Sequence, residues 1–436
     1  MAAVIQDSSK QTIRPELVFK IDGLGCSVND AIFIPGRDSI VTGSEDRTLR
    51  IWVRRETGKF WPTVIELLPS PVTCITYSSG THRLFVGLEN GTVVEYDISD
   101  DLNHVEHKRD YLSHTARING IVCTPDTDWI VSAAKDHTVA WYSTNNGKRI
   151  CEHTLEHSAT CLEYDIGSHY VFVGDSSGRI TLLSINQMNG QVQCRVIREL
   201  RGHEQSVTYL AWDSANSRLF SCSTDHSVIF WDIGGAKGSA FELQGHTKDV
   251  SSIYWWSMGN SLSNIKDSKY KGLLISGGLD GYLIFWMMDP SRVESPNWSE
   301  SDICHICGGP FFWNVRKMWN NMSVGVRQHH CRRCGQAVCD KCSPYRSTLP
   351  CMGFEKDVRI CSQCFPSITD ADRRSLAVLF DARHPVTCVR VEESLNLLLT
   401  IGKDRVIKVW DIKAFSSSSV HEFLILLIIF SCDSLT

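Results

Sequence analysis

Short runs in which apolar and polar positions alternate recur along most of the chain, each closed by a turn. In Ser227-Val-Ile-Phe-Trp231, β-branched and aromatic residues take the positions of a half-buried strand, just after an acidic turn residue, Asp225. The same order of small residue, turn acid, β-formers and Trp appears at Ser44, Asp46 and Trp52, and at Ser132, Asp136 and Trp141. It returns at Ser276, Asp280 and Trp286, and at Thr400, Asp404 and Trp410. Two weaker copies are Gly87-Leu-Glu-Asn90-Gly91 leading to Tyr96, and Gly174-Asp-Ser-Ser177-Gly178 leading to Leu183. The turn markers therefore stand at 46, 90, 136, 177, 225, 280 and 404. The first six are spaced by 41 to 55 residues and the last two by 124, so about 80 extra residues precede the seventh unit. Asp or Asn beside Gly suits a tight turn between strands. The pattern predicts seven all-β units with an insertion between the sixth and the seventh. No apolar run approaches the ~18 residues that a spanning helix needs.

A repeat of this period with a closing Trp resembles the WD40 repeat, which implies a seven-bladed β-propeller. In that family a His, a strand Ser or Thr, the turn Asp and the Trp form one hydrogen-bonded set. The matching residues are His114 with Asp136 and Trp141, His203 with Asp225 and Trp231, His246 with Asp280 and Trp286, and His384 with Asp404 and Trp410. Such a network fixes a turn and performs no chemistry. Residues 15–290 hold blades one to six and residues 376–413 blade seven. An open ring would leave edge strands exposed. After Trp410 no further strand pattern follows, so Pro15-Glu-Leu-Val-Phe-Lys-Ile21 is expected to supply the outer strand of blade seven.

Cysteine usage separates the insertion from the rest. The chain has 436 residues and 18 cysteines, and it opens without a cationic-then-apolar signal segment. The cysteines therefore read as reduced thiols or metal ligands, not as a disulfide framework. Eight of them form four C-x-x-C pairs within 61 residues: Cys304 and Cys307, Cys331 and Cys334, Cys339 and Cys342, Cys361 and Cys364. Eight thiolates make two closed four-thiolate sites, the donor set of structural zinc, so two Zn2+ per chain are expected. Cys351 stands alone as an ordinary thiol.

Around these pairs run Arg327-Gln-His-His-Cys-Arg332 and Arg359-Ile-Cys361, with Trp298 and Asp302 ahead of the first. This order resembles the FYVE domain, a zinc finger that binds phosphatidylinositol 3-phosphate, and places it at residues 296–368. The resemblance implies that Cys304, Cys307, Cys339 and Cys342 share one zinc and that Cys331, Cys334, Cys361 and Cys364 share the other. It carries headgroup binding to Arg327, His329, His330, Arg332 and Arg359. Guanidinium forks and a protonated imidazole both suit phosphate oxygens. It also carries membrane insertion to Val324 and Gly325, within Met322-Ser-Val-Gly-Val326. Gln328 departs from the pattern by replacing a cation, and the gap of 23 residues between the first two pairs is longer than the family's.

The order of six blades, FYVE insert and seventh blade is similar to the WD repeat and FYVE domain-containing proteins. That likeness implies a cytoplasmic, non-enzymatic scaffold, peripheral on early endosomes, which recruits signalling proteins such as kinases or innate-immune receptor adaptors through its propeller. It fails at residues 414–436, an atypical tail with the apolar run Phe423-Leu-Ile-Leu-Leu-Ile-Ile-Phe430.

Charge agrees with this division of labour. The whole chain carries −5, while residues 298–366 hold nine Lys or Arg against five Asp or Glu. The insert is thus +4 and the remainder −9. Only the insert suits anionic lipid, and nucleic acid is not an expected partner. A competing class is a RING-like ubiquitin ligase, since RING domains also cross-brace two zincs. However, a RING usually includes a His ligand, and the basic order around Cys331 serves no purpose there. Hydrolase signatures such as His-Glu-x-x-His or a P-loop do not occur.

Overall fold

The computed structural model describes residues 14–416 apart from 113, 125–126, 189–190, 235–239, 258–271, 289–291, 295, 315–317 and 320–323. The tail at 417–436, with its apolar run, and Met322 and Ser323 lie outside the described residues. Seven antiparallel blades form a β-propeller. Blade one is typical, with Val28–Phe33 innermost, then Ser39–Ser44, Thr48–Arg54 and Phe60–Leu67 at the rim. Ser39–Ser44 is buried throughout and Thr48–Arg54 is buried or half-buried, because neighbouring blades cover both faces. The rim strand alternates buried and exposed residues, as expected where only one side meets the core.

The turn acids act as the repeat implied. Asp46, Asp136 and Asp225 each accept the backbone amide two residues on, at 3.0, 3.1 and 2.9 Å. The residue between takes a left-handed conformation, at φ 65° for Arg47, 70° for His137 and 71° for His226. In the weaker blades glycine supplies it instead, Gly91 and Gly178. Blade four, with Ser177 at the marker position, takes its carboxylate from Asp175 at the strand end, which accepts the amides of Ser177 and Arg179. His203 Nε2 lies 2.7 Å from Ser221 Oγ, and the Trp231 indole donates to the same oxygen at 2.9 Å. His246, Ser276 and Trp286 repeat this arrangement. Blade seven is looser: His384 Nδ1 stands 3.4 Å from Asp404 without a hydrogen bond.

A feature absent from the sequence reading joins the blades. Every innermost strand carries a register shift near its start. The bulged residue is small and polar each time: Asn29, Thr73, Asn119, Thr160, Thr208, Ser251 and Thr387. A bulge re-aims the side chain. Five of these side chains thereby donate to a carbonyl of the next blade: Asn29 to Val72, Asn119 to Ala159, Thr160 to Val207, Thr208 to Val250 and Ser251 to Val386. Across the ring's junction Arg390 donates to Asp30 at 2.9 Å while lying over the Tyr209 ring. The N-terminal strand Glu16–Ile21 pairs with Ile407–Asp411 at the rim of blade seven.

The insert leaves and returns inside one blade. Although it lies between the sixth and seventh sequence repeats, Ala377–Asp381 pairs with Tyr282–Met287 and is the rim strand of blade six. The sequence assignment of 376–381 to blade seven is therefore corrected. The sequence repeat is offset by one strand from the folded blade, so each repeat opens with the preceding blade's rim.

The joint is fixed by a buried guanidinium. Arg292 donates to Met287 at the propeller exit, to Pro350 in the insert and to Leu376 at re-entry, over 3.0–3.3 Å. Glu355 accepts the Leu376 amide and the Ser375 hydroxyl. The insert hairpin of Tyr345–Leu349 and Phe354–Ile360 also extends blade five to six strands. Gln244, on that blade's rim, donates its amide to Gly353 at 2.8 Å. Gly353 has φ 92°, and a Cβ there would stand 2.1 Å from the Glu242 carbonyl oxygen, so only glycine fits.

Candidate metal centres and cationic pocket

Two knuckles shape the first halves of the metal sites. Gly308 and Gly335, each just after a C-x-x-C pair, adopt left-handed conformations and donate their amides back to Cys304 and Cys331 at 2.8 Å. The turns bring both thiols of a pair to one side. Folding then gathers Cys304, Cys307, Cys339 and Cys342 in one cluster, and Cys331, Cys334, Cys361 and Cys364 in another, with the sulfurs of each within 4.8 Å of one another. Cys307 and Cys339 Sγ are 3.8 Å apart. That is the edge of a tetrahedron with Zn–S bonds of about 2.3 Å. The amides of Cys339 and Cys361 donate to Cys304 and Cys331 Sγ at 3.4 and 3.3 Å, which favours thiolate. For Cys304, burial pushes the thiol up, but the amides of Cys307, Cys339 and Ile306 outweigh it and bring it to about 7. The donor sets fit two zinc ions in closed sites, whose chemistry is structural.

Beside the second cluster lies a cavity of about 400 Å³, lined by Trp298, Gln328, His329, His330, Arg332, Asp357, Val358, Arg359 and, from the propeller, Gln244. His329–His330 pairs with Ala337–Val338, while the Arg332 amide bonds the Arg359 carbonyl at 3.0 Å, so the zinc framework positions both segments. Trp298 packs against two of these side chains: His330 stacks on it at 4.9 Å and Arg332 lies over it at 4.4 Å. Burial lowers the Arg332 pKa, opposed by the carboxylates of Glu242 and Glu204 in the propeller. Arg359 bonds Asp340 at 2.7 Å, and His329 Nε2 stands 3.1 Å from the same carboxylate. Burial, then Arg359, holds His329 below its ordinary value against Asp340.

Four of the five residues assigned to phosphate thus share one cavity, and Arg327 is exposed outside its lining. Gln328, the departure from the basic pattern, lines the cavity and donates to Ser301. Asp340 was missed; its only signal is an acid inside the third cysteine pair. Gln244 had no signal, being remote in sequence.

An apolar rim lies on the same domain. Val324 is 82% exposed and Trp319 84%, with Phe312 and Trp313 also exposed. Gly325 is corrected: it is buried, and a Cβ there would meet the Phe312 Cα at 2.8 Å, so it packs under the loop and is not its tip. The long gap between the first two cysteine pairs is what supplies Phe312, Trp313 and Trp319.

Fold and site together define a WD40 propeller carrying an inserted FYVE zinc finger. The FYVE zinc finger family matches residues 296–370. The WD domain, G-beta repeat family matches 16–53, 106–143, 194–232, 238–287 and 374–411. "WD repeat and FYVE domain-containing protein 1" of Mus musculus is 42% identical, over 94% of this chain and 96% of its own length. "WD repeat and FYVE domain-containing protein 2" of Homo sapiens is 40% identical, over 94% and 98%. The chain belongs to the WD repeat and FYVE domain-containing protein family. The WD40 β-propeller domain of Doa1 superposes with a TM-score of 0.55 at 13% identity, covering 91% of this chain and 96% of that one, a likeness of fold alone. Among the described residues no helix is long and apolar enough to cross a membrane.

Proposed function

We propose that this protein is a non-enzymatic adaptor that binds phosphatidylinositol 3-phosphate on the cytoplasmic face of early endosomes and presents its propeller to signalling proteins, with kinases and innate-immune receptor adaptors as the partner classes. The observation that carries the reading is the convergence of His329, His330, Arg332 and Arg359 on one cavity in the domain that also exposes Val324 and Trp319. Phosphate oxygens suit the guanidinium forks, the Trp298 face holds Arg332 in place, and the apolar side chains suit the headgroup–acyl boundary. Asp340 already holds Arg359 and neighbours His329, so a phosphate takes over contacts that a carboxylate makes in the free protein. The acidic remainder of the chain is better suited to protein partners than to lipid.

The test is vesicle sedimentation across all phosphoinositides with the full chain. Selective retention on 3-phosphate vesicles supports the reading. Equal retention on every anionic vesicle, or none, overturns it.

A further inference from the structure

The cavity is not enclosed by the inserted domain alone. Gln244, on the rim of blade five, lines it. Its backbone is tied to Gly353, and its side-chain amide donates to the Glu242 carboxylate. The neighbouring edge of the same blade carries Glu204, exposed, whose amide bonds the turn acid Asp225. Both carboxylates reach Arg332 electrostatically across the domain boundary. The boundary is tied by Arg292, buried among three carbonyls, and is closely packed where Gly353 meets Glu242.

We propose that blade five forms one wall of the headgroup pocket and sets its selectivity, with Gln244 bounding the cavity and the Glu242 and Glu204 carboxylates repelling headgroups that carry a further phosphate on that side. The proposal rests on the lipid-binding reading above. The physical argument is one of sign and place. The cations that face a single phosphate come from the insert: His329, His330, Arg332 and Arg359. The propeller contributes the Gln244 side chain to the lining, with the Glu242 carboxylate bonded behind it and Glu204 on the same blade. A second phosphate directed at that wall meets repulsion in a partly desolvated space, where charge–charge terms exceed those in bulk water. A single phosphate seated on the insert does not. The inserted domain would, on its own, lack this filter.

The experiment compares the full chain with Glu242→Gln, Glu204→Gln and Gln244→Ala, each matched to wild type in zinc content and thermal unfolding. Affinity is measured for vesicles bearing the 3-phosphate and the 3,5-, 3,4- and 3,4,5-phosphorylated lipids. Soluble inositol 1,3-bisphosphate and its further phosphorylated analogues form a second arm. Wild type should prefer the single 3-phosphate. In Glu242→Gln and Glu204→Gln the preference should fall by roughly threefold or more, through tighter binding of the multiply phosphorylated headgroups, whereas Gln244→Ala, which leaves both carboxylates, should not tighten them. The soluble headgroups should show the same change. An unchanged ratio in the folded Glu→Gln variants overturns the proposal and leaves the lipid reading intact. A change on vesicles alone also overturns it, because it would come from membrane surface charge and not from the pocket wall. If wild type binds no phosphoinositide, the lipid reading and this proposal fail together. Should Glu242→Gln not fold, Glu204→Gln decides, since Glu204 is exposed.

Discussion

Arg332 and His384 show how one side chain's surroundings decide what it does. Arg332 lies over Trp298 and its backbone is pinned by Arg359, so little side-chain freedom remains to be lost when a phosphate arrives. Arg332→Ala should weaken binding to 3-phosphate vesicles ten- to a hundredfold, the loss of a charge-assisted hydrogen bond of roughly 1.5–3 kcal/mol, with zinc content unchanged. Unaltered binding by the folded variant would remove Arg332 from the site. His384 behaves oppositely: it is buried, with Nε2 bonded to Thr400 at 3.0 Å and Nδ1 without a hydrogen-bond partner. Burial, reinforced by Lys408 and opposed by Asp404, pushes its pKa down to about 4. The unfolded chain takes up its proton near pH 6.5, so between pH 6.5 and 4 the unfolded state binds more protons and stability falls as pH falls. From pH 7 to pH 5 this residue should cost about 2 kcal/mol. Denaturant unfolding of wild type and His384→Asn at the two pH values checks it: the variant should show the shallower dependence, and equal slopes would assign the acid lability elsewhere.

At the scale of elements, the zinc knuckles and the joint divide the stability of the insert. Eight thiolates and two metals replace a large core, so metal binding there is folding free energy. Elemental analysis should find two zincs per chain, and chelation should abolish hydrogen-exchange protection across 296–370 while the innermost propeller strands keep theirs. Because the insert also holds one end of each adjoining rim strand, through Gln244 and Leu376, those two amides should lose protection with it. Protection of those amides at the wild-type level would show that the pairing through Gln244 carries no load. Arg292→Ala strips the joint of a donor set serving Met287, Pro350 and Leu376. Unsatisfied buried carbonyls cost about 1–3 kcal/mol each, so the variant should unfold the insert at lower temperature than the propeller, splitting a shared transition in calorimetry.

The whole molecule is a ring, closed where the strand Glu16–Ile21 pairs with Ile407–Asp411. Five bulge side chains tie consecutive blades, and Arg390 with Asp30 ties blade seven to blade one. Arg390→Ala leaves Asp30 buried without its cation and should cost about 3–5 kcal/mol, whereas Arg390→Met combined with Asp30→Leu should recover much of it. Equal stability of the single and double variants by denaturant titration would argue against a coupled pair. Deleting residues 1–21 should uncover the edge of Ile407–Asp411 and make the protein self-associate, read by light scattering.

What the sequence determined by itself is the short-range chemistry. Four C-x-x-C spacings name eight ligands because each pair needs only neighbouring residues, two of the four being closed by a glycine. Asp225 or Asp280 marks a blade because the turn it caps spans a few residues. The count of seven blades follows from that period. Tertiary structure decided whatever depends on residues far apart in the chain. Ala377–Asp381 became the rim of blade six because strand pairing, not repeat phase, selects its partner. Gly325 went under its loop because Phe312 packs there. Gln244, more than fifty residues before Cys304, met the cationic cavity only because Arg292 and Gly353 tie the two domains together. Periodicity and spacing record what a segment prefers locally; contacts between segments are set by packing, and packing leaves no local pattern to read.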